Sequence, residues 1–242
     1  MSMDTSEIRS RFAASLAARK PVKFPKPELP FGPNALEPYM SRKTLEGLLE
    51  LHCHYVERAN ALIGATDLEE MPLDEMAERL AHRRTASAFS NNVAQMFNLT
   101  FFWRSLRPTG GGRPFGAIAR RIDDDFGVMD DFEAKFREAA LSISGSGWVW
   151  LVADVGKLKI VTTKDAKNPL GRALKPILAL NMWEHAYCLD YGSSREAYVG
   201  AFLSSLANWD FANQNLARLN GMQAINRPAS RRGAFEPDSL NA

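Results

Sequence analysis

Histidine, the side chain that most often binds metals and moves protons near neutral pH, occurs at four positions of this sequence: His52, His54, His82 and His185. The spacing of apolar residues puts His52 on the apolar face of a predicted helix with Leu48, and His54 on its polar face. His52 and His185 could together contribute to a metal site. The apolar surroundings of His52 favour instead a core or interface histidine.

Two further features that can indicate chemistry do not do so here. The glycine-rich run 109–112 follows no predicted strand and precedes no Lys-Ser/Thr pair, so it predicts a linker rather than a phosphate-binding loop. Cys53 and Cys188 are too few for a disulfide framework and lack the spacing of a zinc site. Such cysteine usage is typical of a reducing compartment.

Composition excludes several classes of protein. The 242 residues include 30 basic and 28 acidic side chains, a net charge of +2, which is too small for a dedicated nucleic-acid binder. The sequence has no specific nucleic-acid motif. No apolar run approaches the roughly 18 residues of a membrane-spanning helix, so we expect no membrane span.

Both ends of the chain differ in composition from the middle. Proline recurs between positions 21 and 33, which predicts an extended N-terminal arm, and the last residues carry arginines among Pro, Gly and Ser, which predicts a flexible tail. Arg9, Arg11, Arg19 and Lys20 are typical of an organellar targeting segment, whereas Asp4 and Glu7 are not. The composition leaves the bacterial cytoplasm and the mitochondrial matrix both open.

The middle of the chain predicts two lobes. Three-to-four spacing of apolar residues predicts helices over 41–63, 74–83, 86–106, 115–125, 131–142, 184–191 and 195–219. Short runs rich in aromatic and branched residues predict strands over 148–153, 157–163 and 177–183. The predicted domains of this α+β chain are an arm (1–34), a helical-hairpin lobe (35–108), a linker (109–114), an α/β lobe with a small three-stranded antiparallel sheet (115–220) and a tail (221–242).

Four segments carry a specific resemblance: LEPYMSRKTLE (36–46), FSNNVAQMFNLTFFW (89–103), GSGWVWLV (145–152) and NMWEHAYCLDY (181–191), with ANWDFA (207–212) near the end. Through them the chain resembles the iron/manganese superoxide dismutase family over roughly residues 25–219. The resemblance implies the fold of that family, a helical hairpin followed by an α/β lobe. It also implies one metal between the lobes and a dimer built across the metal sites.

The resemblance also implies a metal held by three histidines and one aspartate, and this sequence departs from that pattern. The corresponding positions are Leu48 on the first helix, with Gly47 beside it, then Leu99, Asn181 and His185. Only His185 is retained. Because leucine has no lone pair to donate and an amide is a poorer ligand than a carboxylate, we expect no metal at these vestigial positions.

Groups around the metal position are better retained. Gln95, Trp148 and Trp183 match the family's glutamine and tryptophans, and Tyr55 matches its gateway tyrosine if the first helix has a one-residue deletion; without that gap the position is Val56.

The resemblance further implies that Glu184 and His185 lie in the dimer interface. Cys188 replaces an interface tyrosine, and His52 matches the position of that tyrosine's partner if any gap in the first helix falls after it.

The departures predict a catalytically inactive homologue that needs no cofactor and serves as a structural or binding module. Its expected partners are a second copy, a family-like chain, or a larger protein or ribonucleoprotein assembly such as a mitochondrial ribosome. The alternative is a divergent superoxide dismutase, or another metal-dependent oxidoreductase, with an iron or manganese site rebuilt around groups such as His52 and His185.

Overall fold

A computed structural model describes residues 24–64, 68, 70–83 and 87–226, and for 220–226 it describes the backbone alone. The predicted targeting stretch, most of the N-terminal arm and the tail beyond residue 226 lie outside the described residues. Within the described ranges the chain forms eight α-helices and three strands. They are α1 (Arg42–Ile63), α2 (Leu73–Ala81), α3 (Ala88–Ser105), α4 (Gly116–Phe126), α5 (Met129–Leu141), β1 (Gly147–Asp154), β2 (Lys157–Lys164), β3 (Lys175–Asn181), α6 (Cys188–Tyr191), α7 (Arg195–Ala201) and α8 (Trp209–Asn226).

The N-terminal lobe is a helical hairpin of α1 and α3, with α2 packed against α3. Ser41 caps α1 by accepting a hydrogen bond from the Thr44 backbone N–H at 3.2 Å. Ser87 and Ser90 form a capping box at the start of α3. These caps fix where the helices begin, and they confirm the helices predicted over 41–63 and 86–106.

The described part of the arm lies against α1. Residues 24–29 form no helix or strand, and both backbone polar groups of Phe24 bond to the Asn60 side chain, at 2.7 and 3.0 Å. Residue 24 is thus held against α1, and the extended arm over 1–34 stays a prediction.

The C-terminal lobe is built on an antiparallel sheet with strand order β2-β1-β3. The central strand β1 is buried on both faces over its first six residues. Helices α3 and α8 pack on β3, while α4 and α5 pack on β2. The predicted α+β fold and its three-stranded sheet are confirmed.

The segment 195–219, predicted as one helix, is interrupted. After α7 the residues Phe202–Leu206 form a π-helical turn, Ala207 is extended, and α8 then begins at Trp209. Tertiary hydrogen bonds replace helical ones here, because Gly111 N–H donates to the Ala207 carbonyl at 2.8 Å. Gly111 has φ +68°, and a Cβ there would come within 2.0 Å of the Ser205 nitrogen. The linker glycine thus permits the close approach that breaks the helix.

The last helix also continues to Asn226, past residue 221 where the tail was predicted to begin. No helix in the described ranges is long and apolar enough to cross a membrane.

Candidate functional site

The α1–α3 contact is fixed by a buried hydrogen bond that the sequence pattern did not reveal. Trp103 on α3 donates its indole N–H to Nδ1 of His52 on α1 at 3.2 Å, and both side chains are about 2 % exposed. Leu48 lies one turn before His52, and Leu99 one turn before Trp103. Because residues four apart share a helix face, both leucines face the same contact between the helices.

The other two family positions adjoin this contact. Helix α3 packs on β3, whose last residue is Asn181, and α1 packs on the short 3-10 turn Glu184–Ala186, which includes His185. The fold therefore brings the four predicted positions Leu48, Leu99, Asn181 and His185 to the junction of the lobes. We call this place the interlobe position.

Leu48 and Leu99 belong to the hydrophobic core at the interlobe position. They are 1 % and 2 % exposed and lie in one continuous apolar cluster with Val93, Met96 and Phe102. Hydrocarbon side chains offer no lone pair to a cation. On the α1–α3 side of the interlobe position, Leu48 and Leu99 thus present hydrocarbon side chains where the family has ligands.

Asn181 presents the wrong polarity to a cation. Its side-chain oxygen accepts the backbone N–H of Trp183 at 2.9 Å, which turns the chain after β3. The other polar atom of the side chain is Nδ2, which is a hydrogen-bond donor. Nδ2 is fully buried and has no acceptor among the described residues. An N–H group repels a metal ion. An amide in place of the family's carboxylate therefore changes the electrostatics at this position as well as the strength of the donor.

His185 lies at the surface of the single chain. Its ring stacks on Trp183 with centroids 5.3 Å apart and 28° between the planes, and the residue is exposed. Partial desolvation lowers its pKa below the ordinary value, which keeps the imidazole neutral near pH 7. A neutral imidazole has one lone pair that can bind a metal.

The lone pair on Nδ1 of His52, which a metal ligand would need, already accepts the hydrogen bond from Trp103. Burial lowers its pKa to about 4, so the ring is neutral near pH 7. Because Nδ1 accepts from Trp103, the ring proton of the neutral form lies on Nε2. His52 can bind a metal only by giving up the bond to Trp103 or by losing that proton.

The retained surrounding groups divide into buried and partly exposed ones. Gln95 and Trp148 are 3 % and 1 % exposed, and the Trp148 indole donates to the Asp165 carbonyl at 3.0 Å. Tyr55 is half-buried, and this burial raises its pKa, with Arg58 opposing the shift. The Trp183 indole N–H is buried without an acceptor among the described residues.

The predicted interface residues lie in different environments. Glu184, His185 and Cys188 are exposed along one short segment, whereas His52 is buried within the chain. The interface roles of these four residues stay predictions.

The residues present do not fit the ion implied by the resemblance. Of the four positions, two are hydrocarbon and one is an amide whose oxygen is already bonded. Among the described residues, no three His, Cys, Asp or Glu side chains are grouped so that they could hold a metal ion. The donors that iron and manganese require are therefore not gathered at the interlobe position of the single chain.

Comparison with known proteins identifies the family. A model of the iron/manganese superoxide dismutase alpha-hairpin domain matches residues 23–107, and a model of the C-terminal domain of those enzymes matches residues 114–215. The chain belongs to the iron/manganese superoxide dismutase family. The two matches meet at the glycine-rich linker.

Curated relatives of the family match along both lobes. An iron superoxide dismutase of Leptolyngbya boryana is 43 % identical over 198 residues, which are 81 % of this chain and 100 % of the relative. Those of Synechococcus elongatus and Legionella pneumophila are each 42 % identical, over 79 % and 81 % of this chain and 96 % and 100 % of the relatives.

These relatives correct two expectations. The prediction of a catalytically inactive structural module is wrong by this comparison, since proteins with this level of identity over both lobes are named as dismutases. The prediction that no cofactor is needed is contradicted as well, because the same names specify iron. The relatives are bacterial, so the expectation of a mitochondrial or ribosomal setting gains no support. The mismatch of donors at the interlobe position remains a property of the structure.

Proposed function

We propose that this chain is a divergent superoxide dismutase-type oxidoreductase that uses a redox metal bound by a different set of donors from the family's. The observation that carries the proposal is the 41–43 % identity to iron superoxide dismutases over about four-fifths of the chain. Identity of this extent covers both lobes and their junction.

The residues around the interlobe position favour an active oxidoreductase rather than an inactive protein that has kept only the fold. Gln95 is a buried polar side chain on α3, and core packing alone does not favour an amide there. Trp148 and Trp183 flank Asn181 in the fold, through the β1–β3 pairing and the turn after β3. A polar and aromatic lining is thus retained where the donors have changed.

The metal ligands that we propose for this chain come from the segment that follows β3. His185 has a neutral, solvent-facing imidazole, and Glu184 beside it is an exposed carboxylate. Both groups are ligands for iron, manganese or zinc. Two donors do not complete a site, so a second copy of the chain supplies the rest. We therefore propose a dimer, and on the ground of the bacterial relatives a cytoplasmic one.

The test measures metal and activity in the same preparation. Purified full-length chain is assayed for bound iron, manganese and zinc and for consumption of superoxide. We expect stoichiometric redox metal and superoxide consumption that is lost on chelation and recovered on reloading. His185→Gln should lower both quantities, while the matched control His54→Gln, on the exposed face of α1, should leave both unchanged. A chain that neither retains metal nor consumes superoxide contradicts the proposal.

A further inference from the structure

We infer that the interlobe position of this chain is closed to metal by Leu48, Leu99 and the Asn181 amide, so that any ion the protein uses is bound outside it. This inference concerns the location of the ion and rests on the proposed function only in assuming that an ion is used at all. It assigns a packing role to three side chains that stand where the family has ligands.

Hydrocarbon side chains occupy the contact between α1 and α3. Leu48 and Leu99 face the α1–α3 contact, as the His52–Trp103 hydrogen bond one turn further along each helix requires. Both are almost completely buried in the continuous core. Buried hydrocarbon at this contact offers an ion no donor atom and excludes the water that would coordinate it.

The contact adjoins Asn181, because α3 packs on β3 and Asn181 is the last residue of that strand. Asn181 is fully buried, its oxygen is occupied by the Trp183 backbone N–H, and its free Nδ2 is a donor. The Trp183 indole N–H is also without an acceptor among the described residues. At Asn181 the free polar atom is a donor and no carboxylate oxygen is present, which disfavours a cation beside that residue.

The remaining candidate ligand, His185, is exposed and stacks along the plane of Trp183. An imidazole with solvent access can bind an ion on the outer side of the turn, where Glu184 and a second copy of the chain are also accessible. The interlobe position is not needed for such a contact.

The test locates the ion. Crystals of the wild-type chain loaded with manganese are examined by anomalous scattering at the manganese edge. We expect no anomalous peak within coordination distance of the Asn181 side chain between α1 and α3. A peak there, with His185 as a further ligand, overturns the inference and leaves the proposed function standing.

A gain-of-site variant provides the second measurement. Leu48→His, Leu99→His and Asn181→Asp together restore three donors beside His185, and we expect about one additional equivalent of manganese per chain and a melting temperature that rises on adding it. The control Leu62→His with Leu141→His adds the same imidazoles at exposed positions of α1 and α5 and should gain neither. A folded variant that gains no more manganese than the control contradicts the claim that Leu48, Leu99 and Asn181 are what closes the interlobe position. If the variant does not fold, the wild-type anomalous map still decides.

The two proposals fail separately. A wild-type chain that retains neither iron nor manganese and consumes no superoxide overturns the proposed function and leaves the interlobe position closed. A wild-type chain with an ion between α1 and α3 overturns the closed interlobe position and leaves the proposed function standing.

Discussion

Trp103 and His52 are joined by a hydrogen bond inside the core, with the indole N–H donating to Nδ1 of the imidazole at 3.2 Å. The bond links the two long helices of the N-terminal lobe and requires His52 to be neutral. The pKa of His52 is accordingly lowered from 6.5 to about 4 by burial.

This depressed pKa predicts acid sensitivity in a defined window. Between pH 6.5 and about 4 the unfolded chain binds a proton at His52 that the folded chain does not, so the free energy of unfolding falls as the pH falls through this range. The loss should reach roughly 3 kcal/mol below the window. Urea unfolding at a series of pH values measures it. His52→Asn, whose oxygen can still accept from Trp103, should flatten the dependence, whereas His54→Asn should not.

Core packing at the interlobe position predicts a large cost for truncation. Leu48→Ala and Leu99→Ala should each lower the free energy of unfolding by about 2–5 kcal/mol, because each leaves a cavity in a well-packed core. Leu62→Ala, on the same helix as Leu48 but 39 % exposed, should cost about 1 kcal/mol or less. Equal costs for Leu48 and Leu62 in chemical denaturation would mean that Leu48 does not fill the interlobe position.

A buried hydroxyl joins the two lobes. Ser105 Oγ donates to the Phe101 carbonyl at 2.9 Å and accepts from the Ala179 N–H of β3 at 3.0 Å. Ser105→Ala leaves that N–H buried without a partner, and we expect a loss of about 1–3 kcal/mol in thermal or chemical unfolding. Ser142→Ala, which removes an exposed hydroxyl from the end of α5, is the control and should change stability little. A neutral Ser105→Ala would show that water or another group satisfies Ala179.

The Asn181 amide predicts the response to a restored carboxylate. Asn181→Asp alone places a negative charge at a fully buried position without a cation, so the protein should lose several kcal/mol near pH 7. The pKa of the new carboxyl should be raised by burial, and the loss should therefore shrink as the pH falls and the group protonates. Asn208→Asp, at a partly exposed position, serves as the control. If Asn181→Asp stabilises the metal-free chain, a cationic group faces this position, and the expectation of an uncompensated buried charge is wrong.

Local sequence pattern was sufficient for most of the fold. Capping serines such as Ser41 and Ser87 and the regular spacing of buried side chains define α1 and α3, and the branched and aromatic runs define the strands. The break after α7 was not predictable in this way, because the apolar spacing continues through Phe202–Leu206. The break is accompanied by hydrogen bonds from the distant linker, such as the one from Gly111 to Ala207. Gly111 was the residue in the sequence that could have indicated this close approach.

Leu48, Leu99, Asn181 and His185 lie on elements that adjoin at the junction of the lobes, and their match to the family's ligand positions stays a prediction. The inference from lost donors to lost activity went too far, since it weighed four residues against a similarity that extends over both lobes. The Trp103–His52 bond and the capture of the Asn181 oxygen by the Trp183 N–H depend on side-chain orientation, which no spacing rule gives.

The most direct test of the central claim is the rate of superoxide consumption per bound metal ion in the purified full-length chain. The account predicts stoichiometric iron or manganese, with a rate that disappears on chelation and returns on reloading. A correctly folded chain that holds no metal and consumes superoxide no faster than buffer would contradict it.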